Sequence, residues 1–134
     1  MELKFFLKEN KAERERVKFA ASAAFKDGEG KTAEWVLRPV STRENEEIRE
    51  SAVKFQGGEY RLDTALYAAR LAATAVEEPN LYNAALQDSY GVSTPEDLLR
   101  EMIDSPGEYA ALVKKVQEMS GFIPFSERVE QAKN

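Results

Sequence analysis

Polar and apolar residues alternate with period two over residues 17–25. Val17, Phe19, Ala21, Ala23 and Phe25 face one way, and Lys18, Ala20, Ser22 and Ala24 the other. Residues 32–38 alternate again, with Ala33, Trp35 and Leu37 on one face. Between them lies Lys26-Asp27-Gly28-Glu29-Gly30-Lys31. Two such runs about a glycine-rich turn predict a β-hairpin over about 17–38. A lone hairpin is marginal in water, so its aromatic face (Phe19, Phe25, Trp35) is expected to pack on helices.

Beyond Pro39 the period becomes helical. Ser41-Thr42-Arg43-Glu44 is a capping-box pattern, and a mostly charged helix is predicted from Thr42 to about Lys54, with Ile48, Ala52, Val53 and Phe55 as its apolar side. Gly57-Gly58 breaks it, and Tyr60-Arg61-Leu62 reads as a short extended link. Asp63 then caps a second helix reaching Val76, in which Leu62, Leu66, Ala69, Ala73 and Val76 recur at helical spacing. Its alanines permit close helix approach. Pro79, lacking an N–H, stops that helix. A short helix fits residues 83–90, with Gly91 as left-handed C-cap. Thr94-Pro95 opens another, threonine as N-cap and proline at the first helical position. Ser105-Pro106-Gly107-Glu108 repeats the device, with Glu108 spaced to close a capping box onto Ser105. The last helix carries Tyr109, Leu112, Val113 and Val116 as its buried stripe and ends at Gly121.

The expected fold class is therefore α+β, mainly α: an N-terminal β-hairpin packed on a bundle of four to five helices, in one domain over residues 1–122. Residues 123–134 are expected to form a loosely held tail. Near the N-terminus Phe5, Phe6 and Leu7 make a short apolar patch between charges. It reads as a docking strand, a helical turn or an exposed contact, and packing onto its own domain is the simplest expectation. No internal repeat stands out.

The chain has 134 residues, enough to bury a core without covalent staples. It contains no Cys and no His. Disulfides, thiolate zinc sites, a cysteine nucleophile and every Ser-His-Asp arrangement are thereby excluded. Net charge is −5, which argues against a nucleic-acid partner. The longest low-charge run, around residues 64–76, contains Arg70 and falls short of the ~20 residues a membrane span needs. The N-terminus does not read as a signal peptide, so a cytoplasmic location is expected.

Three features invite chemistry. Gly30-Lys31-Thr32 matches the end of a phosphate-binding loop, but Phe25 stands where the first glycine is required, and the stretch lies between two strands rather than before a helix. A hairpin turn is the better reading. Gly57-Gly58 is likewise a break, not a dinucleotide fingerprint. Acids concentrate in residues 77–108, where eight of them face Arg100 alone, a charge of −7 that leaves +2 for the rest of the chain. A carboxylate Mg²⁺ site is conceivable there, but Glu96, Asp97 and Glu108 fall in helix first turns, where the dipole favours acids, and no spacing makes a ligand set. No cofactor, metal site or enzymatic activity is expected. Leu81, Tyr82, Leu86, Tyr90, Phe122, Ile123 and Phe125 exceed what short helices need for local packing. Most are expected in the core and the remainder at a partner surface.

The run PNLYNAALQDSYGV, followed by TPEDLLREMIDSPGEYAALVKKVQEMSGF, resembles tail assembly chaperones of phages and defective prophages of the XkdN type. FFLKEN, TAEWVLRPVSTRENEEIR and Tyr67 ahead of the alanine-rich helix are similar to that family too. LQDSYGV, PGEY and KVQEMSGF are the most specific parts. The resemblance spans residues 3–122, and the final dozen residues fall outside it. It implies a non-enzymatic cytoplasmic chaperone that binds the tape measure protein, keeps it soluble and helps recruit tail tube protein, and that is usually absent from the finished virion. In many phages a frameshift makes a longer form. By helix-in-groove recognition, the client surface is expected to draw on Leu81, Tyr82, Leu86, Tyr90, Phe122 and Phe125. Two rival readings are a structural tail or neck component kept in the particle and an acidic inhibitor of a host nucleic-acid-binding protein.

Overall fold

A computed structural model of the protein describes residues 1–122. The predicted tail, and Ile123 and Phe125 with it, lie outside the described residues. The architecture is α+β and mainly α. Two 3₁₀ turns, Leu3–Phe6 and Lys8–Asn10, lead into strand β1 (Val17–Phe19), which pairs antiparallel with β2 (Trp35–Leu37) in the register Val17↔Leu37 and Phe19↔Trp35. The predicted pairing is thus present but short. The ladder breaks after Phe19 because Glu108, from the far end of the chain, accepts hydrogen bonds from the Ser22 hydroxyl and the Ala23 N–H, both at 2.8 Å. That draws the chain off the ladder, and Ala21 and Ser22 are both buried, ending the alternation. The glycine-rich turn closes separately, through a Lys26↔Thr32 bridge and the Asp27 carboxylate, which accepts from the Glu29 and Lys31 amides.

Helix α1 (Thr42–Ser51) begins at the predicted capping box: Glu44 N–H donates to Ser41 Oγ, and Ser41 N–H to the Glu44 carboxylate. It stops three residues earlier than expected. Val53–Gln56 and Glu59–Leu62 form a second hairpin, β3 and β4, around Gly57 and Gly58, whose φ values are +61° and +81°. Positive φ at both central residues suits the twist of a two-residue hairpin and favours glycine. Phe55 and Tyr60 pair across it with ring centroids 5.0 Å apart. The expected helical end and extended link are these two strands.

Asp63 caps α2 (Thr64–Ala75) by accepting from the Leu66 N–H. The helix ends at Ala75, before Pro79. Val76–Glu78 instead forms β5, which adds to β2 with Leu37↔Val76, giving the sheet order β1-β2-β5. Pro79 disfavours helix for the residue before it, and β-branched Val76 fits the pleat.

Helices α3 (Ala84–Ser89), α4 (Pro95–Met102) and α5 (Pro106–Met119) fall where the punctuation placed them, with Asn83 and Thr94 capping the first two and Gly91 and Gly121 at positive φ after α3 and α5. One expectation fails: Ser105 makes no side-chain cap, and the Glu108 carboxylate, which would complete the box by accepting from the Ser105 N–H, instead accepts from Ser22 and Ala23.

Helix α2 is central, packing on α1, α4 and α5. Ala69, Leu71, Ala72, Ala73 and Ala75 are buried along it. Leu71, Ala72, Ala73 and Ala75 join Trp35, Leu37, Leu81, Leu98, Leu99, Leu112 and Val116 in one apolar cluster, against which Phe19, Phe25, Tyr67 and Tyr109 rest. The hairpin's aromatic face therefore does pack on helices. Arg70 ties the layers together: its guanidinium donates to the Ser51 carbonyl at the end of α1 and meets Glu96 in the first turn of α4.

Candidate functional site

The surface departs from that of an ordinary small domain in where it leaves large apolar side chains. The N-terminal patch does not pack inward. Phe5 and Phe6 are 61% and 67% exposed, with Leu3 and Leu7 beside them. The segment is nevertheless held in shape: the Asn10 amide donates to the Lys4 carbonyl, and the Lys4 ammonium sits over the Phe5 ring at 5.6 Å. The second exposed group is Val53, Phe55 and Tyr60 on the β3–β4 hairpin. The third is Tyr82, 68% exposed, on the turn between β5 and α3. Exposed apolar clusters on a small protein mark contact surfaces.

The residues expected at a partner surface separate. Leu81 is 1% exposed and is a core residue, which corrects its place among the surface candidates; Tyr82, next to it, points out. Leu86 and Tyr90 are half-buried against the core. Phe122 is 41% exposed, and its amide donates to the Gln117 carbonyl at the end of α5. The N-terminal aromatics and the Phe55–Tyr60 pair were not placed at a client surface by the sequence. The Gly57-Gly58 turn flanked by Val53, Phe55, Tyr60 and Leu62 is the signal that exposes the hairpin.

Charge is arranged as unevenly as apolarity. Beside the N-terminal segment lies an open groove of about 470 Å³, lined by Lys8, Lys11, Arg14, Arg16 and Arg38, with Glu13 as its acid. Arg16 pairs with Glu77, and its hydrogen bond holds that carboxyl below the ordinary range. Arg38 grips Glu44 with two hydrogen bonds of 3.0 and 2.7 Å. That hydrogen bonding leads the effects that hold the Glu44 carboxyl down at about 2, against the cost of partial burial. The acids of residues 77–108 are not one free field. Glu77, Glu96, Asp97 and Glu108 are engaged by Arg16, Arg70, Arg100 and the Ser22–Ala23 segment. Glu78, Asp88, Glu101 and Asp104 are left exposed. So broken a field is a poor likeness of regularly spaced phosphates.

Among the described residues no three acids converge as a metal site, and no helix is long and apolar enough to cross a membrane. Gly30-Lys31-Thr32 lies in the turn between Lys26 and Thr32 and opens no helix.

The fold is that of a small mixed α+β protein already seen in a crystal: the structure of the protein YqbN superposes with a TM-score of 0.80 at 24% identity, covering 92% of this chain and 98% of that one. The family model of the phage XkdN-like tail assembly chaperone protein matches residues 3–133, and the chain belongs to that family. The match reaches past Phe122 to residue 133, so nearly all of the C-terminal dozen residues fall within the family pattern after all. Among relatives in Bacillus subtilis (strain 168), phage-like element PBSX protein XkdN is 27% identical over 99% of this chain and 94% of its own length. YqbN is 27% identical over 98% of this chain and 91% of its own.

Proposed function

We propose that this tail assembly chaperone acts without catalysis, by binding the tape measure protein and keeping it available while tail tube protein is recruited. The observation that carries the reading is the set of exposed aromatic side chains on a well-packed core: Phe5 and Phe6, Phe55 and Tyr60, and Tyr82. Burying one such side chain in a partner contributes about 1.5–3 kcal/mol, so three separated groups give a long amphipathic client several weak handholds. Tyr82, next in sequence to the buried Leu81, anchors one of these, and the half-buried Leu86 and Tyr90 and the exposed Phe122 are further candidates; Phe125 lies outside the described residues.

Co-expression with the tape measure protein of the same gene cluster tests the reading. The wild-type chain is expected to raise the client's soluble fraction and to co-purify with it. Phe5→Ser/Phe6→Ser, Phe55→Ser/Tyr60→Ser and Tyr82→Ser are expected to fold normally by circular dichroism and to lose that rescue in part, and in full when combined. A client that stays insoluble beside the wild-type chain, or is rescued equally by the combined variant, overturns the proposal. Recovery of the protein from purified tails at fixed stoichiometry would make it a tail component instead.

A further inference from the structure

The exposed aromatic rings leave the basic groove unexplained, since none of them lines it. Of its five cations, Arg16 and Arg38 are offset by Glu77 and Glu44. Lys8, Lys11 and Arg14 have no carboxylate within salt-bridge distance among the described residues, and Glu13 is the one acid in the wall. The Arg14 guanidinium donates to the Val40 carbonyl at 3.2 Å, which fixes it at the groove without cancelling its charge. A chain of net charge −5 thus keeps a concave surplus of positive charge in one place.

We infer that this groove is a docking site for an acidic, extended segment of a partner protein, distinct in chemistry from the aromatic client surface. Charge complementarity sets the sign of the occupant. At about 470 Å³ the groove lies within the roughly 300–1,000 Å³ range of ligand clefts and takes a few residues of chain. Its uncharged lining is Ala12 and Pro39, with no aromatic ring on which a base could stack. Glu77, paired with the groove's Arg16, and Glu78 lie in β5, the strand beside β2, so a long polyanion would run into negative charge where a short acidic peptide would not.

The test is fluorescence anisotropy of the full chain with a labelled dodecapeptide of alternating glutamate and alanine, with alternating glutamine and alanine as control. The acidic peptide is expected to bind, and to weaken as salt rises, while the control does not bind. Lys8→Glu/Lys11→Glu is expected to weaken binding about tenfold or more. Lys31→Glu/Lys114→Glu, the same charge change on exposed residues outside the groove, is expected to weaken it less than about threefold. Absence of binding, or equal losses in the two variants, overturns the inference. So does tighter binding of a twelve-nucleotide thymidine strand. Binding that appears only in a Glu127→Gln/Glu130→Gln variant would give the groove to the chain's own C-terminal end. A salt-sensitive dimer in sedimentation velocity, abolished by Lys8→Glu/Lys11→Glu, would give it to a second copy. Either result refutes a foreign partner.

Discussion

Glu44 serves the fold twice, and the two roles can be pulled apart. As the third residue of α1 it accepts the Ser41 N–H at 3.1 Å, closing the helix start; as a carboxylate it receives both Arg38 bonds and joins α1 to the end of β2. Glu44→Gln keeps an acceptor for the cap and removes the charge. A carboxyl held at about 2 instead of 4.5 corresponds to about 3.4 kcal/mol at 1.36 kcal/mol per pH unit. The two side chains are 30% and 34% exposed, and solvent screening reduces the contribution to about 1–2 kcal/mol. Because the folded-state value is depressed, that stability is fully present above pH 4.5 and is lost as pH falls toward about 2. Urea unfolding of both proteins at pH 7, 5, 4 and 3 reads it directly. The wild type should exceed the variant by about 1–2 kcal/mol at pH 7, with more than half of that gone by about pH 3. A difference that is the same at pH 7 and pH 3 would mean that the charge does not act through Arg38. No difference at pH 7 would mean that the ion pair is worth nothing in solution.

Two further outcomes follow from the packing. Leu112 is fully buried where α5 meets α2, and Leu112→Ala should cost about 2–5 kcal/mol in denaturant unfolding. Ser105 and Glu108 should behave unequally in thermal melts: Ser105→Ala should stay within about 0.5 kcal/mol of wild type because its hydroxyl makes no cap. Glu108→Gln should lower the melting temperature, because it weakens the bonds to Ser22 and Ala23.

Helix starts were the most legible part of this chain. Thr94, Asp63 and Ser41 announce helices because capping is chemistry between residues three apart, and α4 and α5 follow their proline signals closely. The β3–β4 hairpin escaped although its signal is local, because Val53 and Phe55 also continue the helical pattern of α1; the rest of what escaped depended on partners far along the chain. Val76 reads as the end of an alanine-rich helix until Leu37 is there to pair with it. Glu108 has the spacing of a capping box, and only the approach of Ser22 and Ala23 decides against Ser105. The aromatic density around Leu81–Tyr90 was visible, but which ring faces out was not: Leu81 and Tyr82 are neighbours with opposite fates. The basic groove was illegible for a similar reason, since Lys8, Lys11 and Arg14 gain meaning only beside Arg16 and Arg38 across a wall that folding builds.

The three-stranded sheet has a consequence for the order in which the chain can become protein. Its middle strand, β2, lies early, yet its second neighbour is β5, with Val36 opposite Glu78, and Trp35 and Leu37 are covered in part by the helices that follow. During synthesis the first forty residues therefore leave the ribosome with a half-made ladder and an apolar face that nothing yet covers. Pairing across such separations is slow to form. The chaperone is itself a client-like chain until α5 has emerged.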